Sequence, residues 1–113
     1  MDIEDYTWGK IVIGGQPYTS DVIIFPDHIN PSWWRKEGHK LQVDDLQEVI
    51  SANPEIVIIG TGALGVMKVP RETVQHLESR GIQVHIERTG KAVELLNGLR
   101  GNKKVVAALH LTC

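Results

Sequence analysis

The sequence contains one cysteine, Cys113, and one phenylalanine among its 113 residues. A single cysteine excludes an intrachain disulfide and a cysteine-rich zinc site. Basic residues are also dispersed: no run of Lys or Arg is longer than the pair Lys103-Lys104, and the formal net charge is −2. Nucleic-acid binding draws most of its affinity from a concentrated basic footprint, so we expect no nucleic-acid partner.

Long hydrophobic runs are missing as well. The run from Ile56 to Ile59 is typical of the longest ones, and a membrane helix needs roughly 20 apolar residues. The segment 1–5 is acidic, whereas signal and transit peptides are basic. We therefore expect a cytoplasmic protein without a membrane association. No linker or internal repeat divides the chain, and its length is common for one domain, so residues 1–113 are predicted to form a single domain.

The first quarter of the chain predicts an N-terminal β-hairpin. Residues 8–13 are β-prone, residues 14–17 (Gly-Gly-Gln-Pro) indicate a turn, and residues 20–25 form a second candidate strand. The segment 27–42, bounded by prolines, is predicted to be an ordered loop.

The rest of the chain alternates between helical and strand patterns. Asp44 can cap a helix, with Gln47 reaching back in a capping box. The other predicted elements are a strand at 55–59, a helix from Pro70 to a stop at Gly81, a strand at 82–87, a helix capped by Thr89 and stopped by Gly101, and a central strand at 105–111. This alternation predicts an α/β fold with a mixed, mostly parallel sheet.

Gly60-Thr61-Gly62-Ala63-Leu64-Gly65 matches the G-x-G-x-x-G pattern of dinucleotide-binding loops. That site needs a helix that starts within the glycines, and Pro70 would break such a helix. The alternative is a structural turn in which the glycines adopt positive φ or allow close backbone packing. We favour the structural turn.

The same loop defines a candidate crevice. If the strands at 55–59 and 82–87 are parallel neighbours, their carboxyl ends lie side by side, where open α/β sheets bind ligands. The candidate ligand-binding residues are Gly60, Thr61, Gly62, Glu87, Arg88 and Thr89. Arg88 and the helix start could hold an anion, and Glu87 could orient a hydroxyl group. The simpler alternative is that these are solvated charges beside a helix cap.

Trp33-Trp34-Arg35 forms the candidate protein-interaction site. Neighbours on an extended segment point to opposite sides, so at least one Trp is expected to be partly exposed. Trp and Arg are enriched at the energetic centres of protein interfaces. The alternative is that both rings cover the core, with Arg35 stacked on one of them.

No catalytic or metal site is predicted. The five histidines form neither H-x-x-x-H nor H-E-x-x-H, and His110-x-x-Cys113 supplies only two donors. Asp27-His28 has no associated nucleophile, and no serine lies in a nucleophile elbow. We expect no metal and no cofactor, and the sequence favours a protein that is not an enzyme.

Several fragments together resemble a widespread family of small uncharacterised domains. They are Trp34-Arg35, Gly38-His39, Asp45-Leu46, residues 58–62, 81–84 and 87–89, Ala92, Leu96-Asn97 and residues 106–109. Relatives in this family include a mitochondrial assembly factor for respiratory complex I and an adipogenesis-associated protein. The resemblance implies a three-layer α/β/α fold with a mixed central sheet, and no cofactor or activity. This chain departs from the family at residues 100–103, where an acidic-Gly-Arg turn is expected.

From the sequence we therefore expect a non-catalytic domain that binds an unidentified protein partner, with self-association as an option. The alternative is a domain that binds a small ligand, or acts on one, in the crevice. Fold alone does not decide between them.

Overall fold

The computed structural model describes residues 2–99, 101 and 104–113 and contains two sheets. The smaller sheet is an antiparallel meander of three strands: β1 (Ile3–Thr7), β2 (Lys10–Ile13) and β3 (Gln16–Tyr18). The larger sheet has the order β5-β4-β8-β6-β7 and contains β4 (Val22–Ile24), β5 (Ile29–Asn30), β6 (Ile56–Thr61), β7 (Gln83–Glu87) and β8 (Val105–His110). The helices of the described residues are α1 (Gln47–Ser51), α2 (Arg71–Ser79) and α3 (Thr89–Leu99).

The larger sheet is mixed, as predicted. β6 is parallel to both β7 and β8, whereas β4 is antiparallel to β8 and to β5. β6 and β8 are buried at every position, which agrees with their nearly continuous apolar sequences. β8 therefore lies at the centre of the sheet, and the central position predicted for it is confirmed.

The predicted N-terminal antiparallel hairpin is present, but its second strand is β3 and not residues 20–25. Gly14 and Gly15 alone make the turn, with φ of +56° and +82°, and Gln16 and Pro17 already pair with β2. Two positive-φ glycines close a tight two-residue turn, so the chain returns at once. Pro17 is tolerated because β3 is an edge strand. The second predicted strand, now β4, instead pairs with the central strand β8.

The predicted helix cap at Asp44 is also wrong. A short 3-10 turn, Val43–Leu46, precedes α1, so the helical backbone begins before the predicted cap. Asp45 is the third residue of this turn, and its carboxylate accepts hydrogen bonds from the amides of Gln42 (2.9 Å) and Lys36 (3.1 Å). Asp44 pairs instead with the Lys36 ammonium group at 2.8 Å. The capping carboxylate is therefore that of Asp45.

Each face of the larger sheet contacts its own hydrophobic cluster. Ile56 and Ile58 of β6 belong to a cluster that includes Leu96 of α3 and residues of the small sheet. Val57 and Ile59 belong to a second cluster with residues of α1 and α2. This division follows from the alternation of side chains along a strand. No helix in the described part is long and apolar enough to cross a bilayer.

Candidate functional site

The two loops of the predicted crevice meet at the carboxyl ends of the parallel strands. Gly60 pairs with Glu87 across β6 and β7, and the Thr61 hydroxyl donates to the Glu87 carbonyl at 3.1 Å. Gly62 and Thr89 share two hydrogen bonds: the Gly62 amide donates to the Thr89 hydroxyl, and the Thr89 amide donates to the Gly62 carbonyl. The structure thus brings five of the six predicted residues into direct contact. The side chain of the sixth residue, Arg88, lies against Gly65. A methyl group added to Gly65 would be 3.2 Å from Arg88 Cγ.

The space between these loops is closely packed. A methyl group on Gly62 would lie 2.3 Å from the backbone carbon of Cys113, and one on Gly60 would lie 2.8 Å from Leu109. Thr89 is fully buried and its hydroxyl donates to the His110 carbonyl at 2.5 Å. Thr89 begins α3, so its hydroxyl joins the loop to β8 instead of capping the helix. The glycines therefore permit close backbone approach.

The amides of the glycine loop are also occupied. Those of Ala63, Leu64 and Val66 donate to carbonyls of Thr112 and Cys113 at 2.6–3.1 Å. A dinucleotide site needs such amides free to face a phosphate group and a helix that starts in the loop. Here α2 begins only at Arg71. The arrangement matches the structural turn favoured from the sequence.

A buried charged network lies beside this loop. Asp21, directly before β4, accepts from Nδ1 of His110 (2.8 Å) and from the Leu111 amide (2.7 Å). Nη1 of Arg35 lies 2.9 Å from the same carboxylate as an ion pair, and Nη2 donates to the Gly38 carbonyl at 2.9 Å. Nδ1 of His110 also lies 3.1 Å from Nη2 of Arg35, which only donates. The shorter contact is the one to Asp21, whose carboxylate only accepts, and it assigns the Nδ1 proton to that bond. Within the described residues, Nε2 of His110 and Nε of Arg35 are buried without a hydrogen-bond partner.

The pKa values of two groups at this network depart from their ordinary values. Burial alone would raise the pKa of Asp21, but the hydrogen bonds from His110 and the Leu111 amide, together with the charge of Arg35, lower it below its ordinary value. Burial raises the pKa of Tyr6, whose hydroxyl donates to the Leu111 carbonyl at 2.8 Å. Asp21 is therefore a stable carboxylate, and Tyr6 keeps its proton.

The Trp-Trp-Arg segment is held in place at Trp33 and Arg35, and its two indoles differ in exposure. Trp33 is 7% exposed; its indole Nε1 donates to the Asp45 carbonyl at 2.9 Å. The guanidinium carbon of Arg35 lies 4.6 Å from the centre of the Trp33 ring. Trp34, between these two anchored neighbours, is 75% exposed. The expected exposure of one Trp is thus observed, whereas Arg35 is buried and cannot contact a partner directly.

Further exposed apolar side chains lie at the end of the molecule that carries Trp34 and residues 111–113. Trp8 (63%), Leu64 (66%) and Val66 (37%) lie on segments that are hydrogen-bonded to residues 111–113, through the amides of Gly9, Leu64 and Val66. We call this end the carboxyl rim and define it as residues 8–9, 33–40, 62–68, 87–89 and 110–113. The rim carries four of the five exposed large hydrophobic side chains in the described sequence; the fifth, Ile86, is on the edge strand β7.

Two open grooves lie outside the crevice, and the first of them borders the rim at Lys40. One of about 510 Å³ runs between the 3-10 turn and α2, and is lined by residues that include Gln42, Thr73 and His76. Another of about 480 Å³ is beside Phe25 and His28. There Nδ1 of His28 lies 2.8 Å from Asp27, and this hydrogen bond lowers the pKa of the exposed Asp27 carboxyl. No group of three or more metal-ligating side chains occurs among the residues that the structure describes.

Sequence reasoning missed Asp21, Tyr6 and the role of His110. One signal was available: His110 is a polar residue in an otherwise apolar central strand, where a partner is required. Nothing in the spacing indicated that Asp21, 89 positions away, supplies that partner.

A family model for proteins of unknown function, DUF498/DUF598, matches residues 3–110. The chain belongs to the DUF498/DUF598 family. Its DUF498/DUF598 fold is similar to the crystal structure of a conserved hypothetical protein, PH1505, from Pyrococcus horikoshii OT3, with 27% identity over 100% of both chains and a TM-score of 0.86. It is also similar to MT938, with 25% identity over 99% of this chain and 98% of that one, and a TM-score of 0.82.

A third similar structure is that of a Bordetella pertussis protein, which is described as a Mth938-like domain. It is 20% identical over 97% of this chain and 85% of that one, with a TM-score of 0.78, and therefore supports the fold alone. The prediction of a small uncharacterised domain family with an α/β fold is confirmed. The link to a complex I assembly factor stays a prediction.

Proposed function

We propose that this DUF498/DUF598 domain is a non-catalytic, assembly-type domain that binds a protein partner through the carboxyl rim. One observation carries the proposal: Trp34 is three-quarters exposed while Trp33 and Arg35, on either side of it, are fixed in the core. A large aromatic side chain held in this way is a typical anchor of a protein interface.

The energetics favour such a role. A Trp side chain presents about 150–250 Å² of surface. Covering the exposed part of Trp34 would therefore remove roughly 150 Å² from water, which corresponds to about 4 kcal/mol at about 25 cal/mol per Å². Ordering a free side chain at an interface costs about 0.5–1.5 kcal/mol. The anchored neighbours of Trp34 reduce that cost, because the backbone at position 34 is already fixed.

The test is site-specific photo-crosslinking in cells. A benzoylphenylalanine residue replaces Trp34, and in a matched control it replaces Gln75, which is exposed on α2 and is not one of the rim residues. We expect a discrete adduct from position 34 and none from position 75. Unlabelled wild-type protein should compete for the adduct, and Trp34→Ala should not. Equal competition by Trp34→Ala would refute the proposal.

The same surface is proposed as the contact if the domain self-associates. Light scattering over a concentration series of wild type and Trp34→Ala tests this. A wild-type dimer that Trp34→Ala weakens would place the second copy on the rim. A dimer of unchanged affinity would place that contact elsewhere.

A second candidate function is the binding of a small ligand at the crevice of Gly60, Thr61, Gly62, Glu87, Arg88 and Thr89. The observation that favours it is the buried, unpartnered Nε2 of His110 next to this loop, because buried polar atoms are normally satisfied. A thermal-shift screen of nucleotides, phosphates and small carboxylates tests it. Saturation at about 100 times Kd adds about 2.7 kcal/mol to stability. A flat screen, or a shift unchanged by Arg88→Ala, would exclude the crevice as the binding site.

We also propose that the larger sheet is the middle of three layers. The two separate hydrophobic clusters support this, since one includes residues of α3 and the small sheet and the other includes residues of α1 and α2.

A further inference from the structure

The carboxyl rim carries a net positive charge, although the chain as a whole is net negative. Its ranges contain five Lys or Arg and two Asp or Glu, whereas the whole chain has 12 basic and 14 acidic residues. The basic residues are Arg35, Lys36, Lys40, Lys68 and Arg88. Arg35 is paired with Asp21, and Lys36 is paired with Asp44. The remaining three cations, together with the acids Glu37 and Glu87, are the charges that a partner would meet.

These three side chains are exposed and close to the apolar part of the rim. Lys40 and Lys68 are neighbours across a parallel backbone bridge, and Arg88 lies against Gly65. Leu64 and Val66 flank Gly65 on the loop that ends at Lys68, so they lie between the side chain of Arg88 and Lys68. None of the ion pairs among the described residues involves any of the three cations. The rim thus alternates exposed apolar side chains with unpaired cations.

We propose that the partner segment of the carboxyl rim is an acidic stretch of protein that carries aromatic or aliphatic anchors; this inference rests on the proposed function. Complementary charges steer association and exclude wrong partners. The two acids of the rim, Glu37 and Glu87, favour a protein partner over nucleic acid or an anionic bilayer. They would repel a uniformly anionic surface such as nucleic acid or an anionic bilayer, whereas a protein segment can place its own cations opposite them.

The probes are two synthetic peptides of equal length that share one Trp and two Leu and differ in carrying four Glu or four Lys. Each is titrated into the ¹⁵N-labelled full chain at low salt, and the indole signals of Trp8 and Trp34 and the amides of residues 64–68 are followed. We expect the Glu peptide to bind about tenfold more tightly than the Lys peptide and to weaken when the salt concentration is raised about tenfold.

A charge-reversal pair locates the effect. Lys68→Glu should weaken the Glu peptide about tenfold and strengthen the Lys peptide. Arg80→Glu, a matched reversal at the exposed end of α2, should leave both affinities unchanged.

The outcomes separate this inference from the function on which it rests. If the NMR signals of the rim shift and both peptides bind with equal affinity, the acidic preference is overturned, whereas the proposal that the rim is an interaction surface stands. No binding of the Glu peptide at millimolar concentration, or binding that Lys68→Glu does not change, would overturn the inference, while photo-crosslinking at position 34 still decides the function. Tighter binding to vesicles of four parts phosphatidylcholine and one part phosphatidylserine, or to a single-stranded oligothymidine, would overturn both.

Discussion

Asp21→Asn tests whether the buried network holds the rim together. The Arg35 side chain is 4% exposed and the Asp21 side chain is 17% exposed, and their charged groups approach to 2.9 Å. Asparagine keeps the size of aspartate but not its charge. The variant therefore leaves the Arg35 guanidinium buried without a counter-charge, and removing one partner of a buried pair typically costs about 3–5 kcal/mol. That loss is a large part of the roughly 5–15 kcal/mol that stabilises a domain.

The expected cost depends on pH in a defined direction. The pKa of Asp21 is lowered in the folded protein, so its carboxylate stabilises the fold above its unfolded pKa of about 3.9. That contribution is lost as the pH falls through the lower, folded value. The difference in unfolding free energy between wild type and Asp21→Asn should thus be largest near pH 7 and shrink below about pH 4.

Equilibrium urea unfolding at neutral pH and at about pH 3 measures both effects. The double variant Asp21→Asn/Arg35→Met is the control, because it removes both charges and should be more stable than Asp21→Asn alone. The indole signal of Trp33 reports whether the segment stays anchored. A loss below about 1 kcal/mol at neutral pH, or a double variant no more stable than the single one, would refute the reasoning.

Three further changes have calculable consequences, each measured as the free energy of urea unfolding. Thr89→Val removes the hydroxyl that joins two buried backbone groups and should cost about 2–4 kcal/mol, whereas Thr89→Ser keeps it and should cost about 1 kcal/mol; equal costs would contradict this. Gly62→Ala combines a steric clash with a positive φ, so it should lower the free energy of unfolding more than Gly81→Ala, where φ is positive but the space around the glycine is open. A larger loss for Gly81→Ala would show that the loop relaxes around the added methyl group. Asp45→Ala deprives two amides of their acceptor and should cost about 1–3 kcal/mol, whereas the exposed Asp44→Ala should cost less than about 1 kcal/mol; similar values would disprove the assigned cap.

Much of the architecture was predictable because it depends on local rules. The strands β6 and β8 were identified from nearly continuous apolar runs, and α2 was placed between Pro70 and Gly81 from helix start and stop signals. The order of parallel strands and helices then implied that residues 60–62 and 87–89 share one edge. The N-terminal pairing failed because β4 has no local signal for its partner: its strand sequence suits any buried neighbour, and that neighbour is β8, near the other end of the chain.

The sequence by itself indicated that residues 60–62 and 87–89 share one edge of the sheet, because strands that alternate with helices are parallel neighbours. It also indicated that one indole of the Trp pair is exposed, but not which one. Only the tertiary structure decided that Trp33 is buried and Trp34 is presented, since the choice depends on a hydrogen bond to Asp45 and on Arg35 reaching Asp21. Long-range contacts also decided the role of the glycine loop. Its amides donate to carbonyls of Thr112 and Cys113, which are distant in the sequence, so the loop packs against the end of the chain.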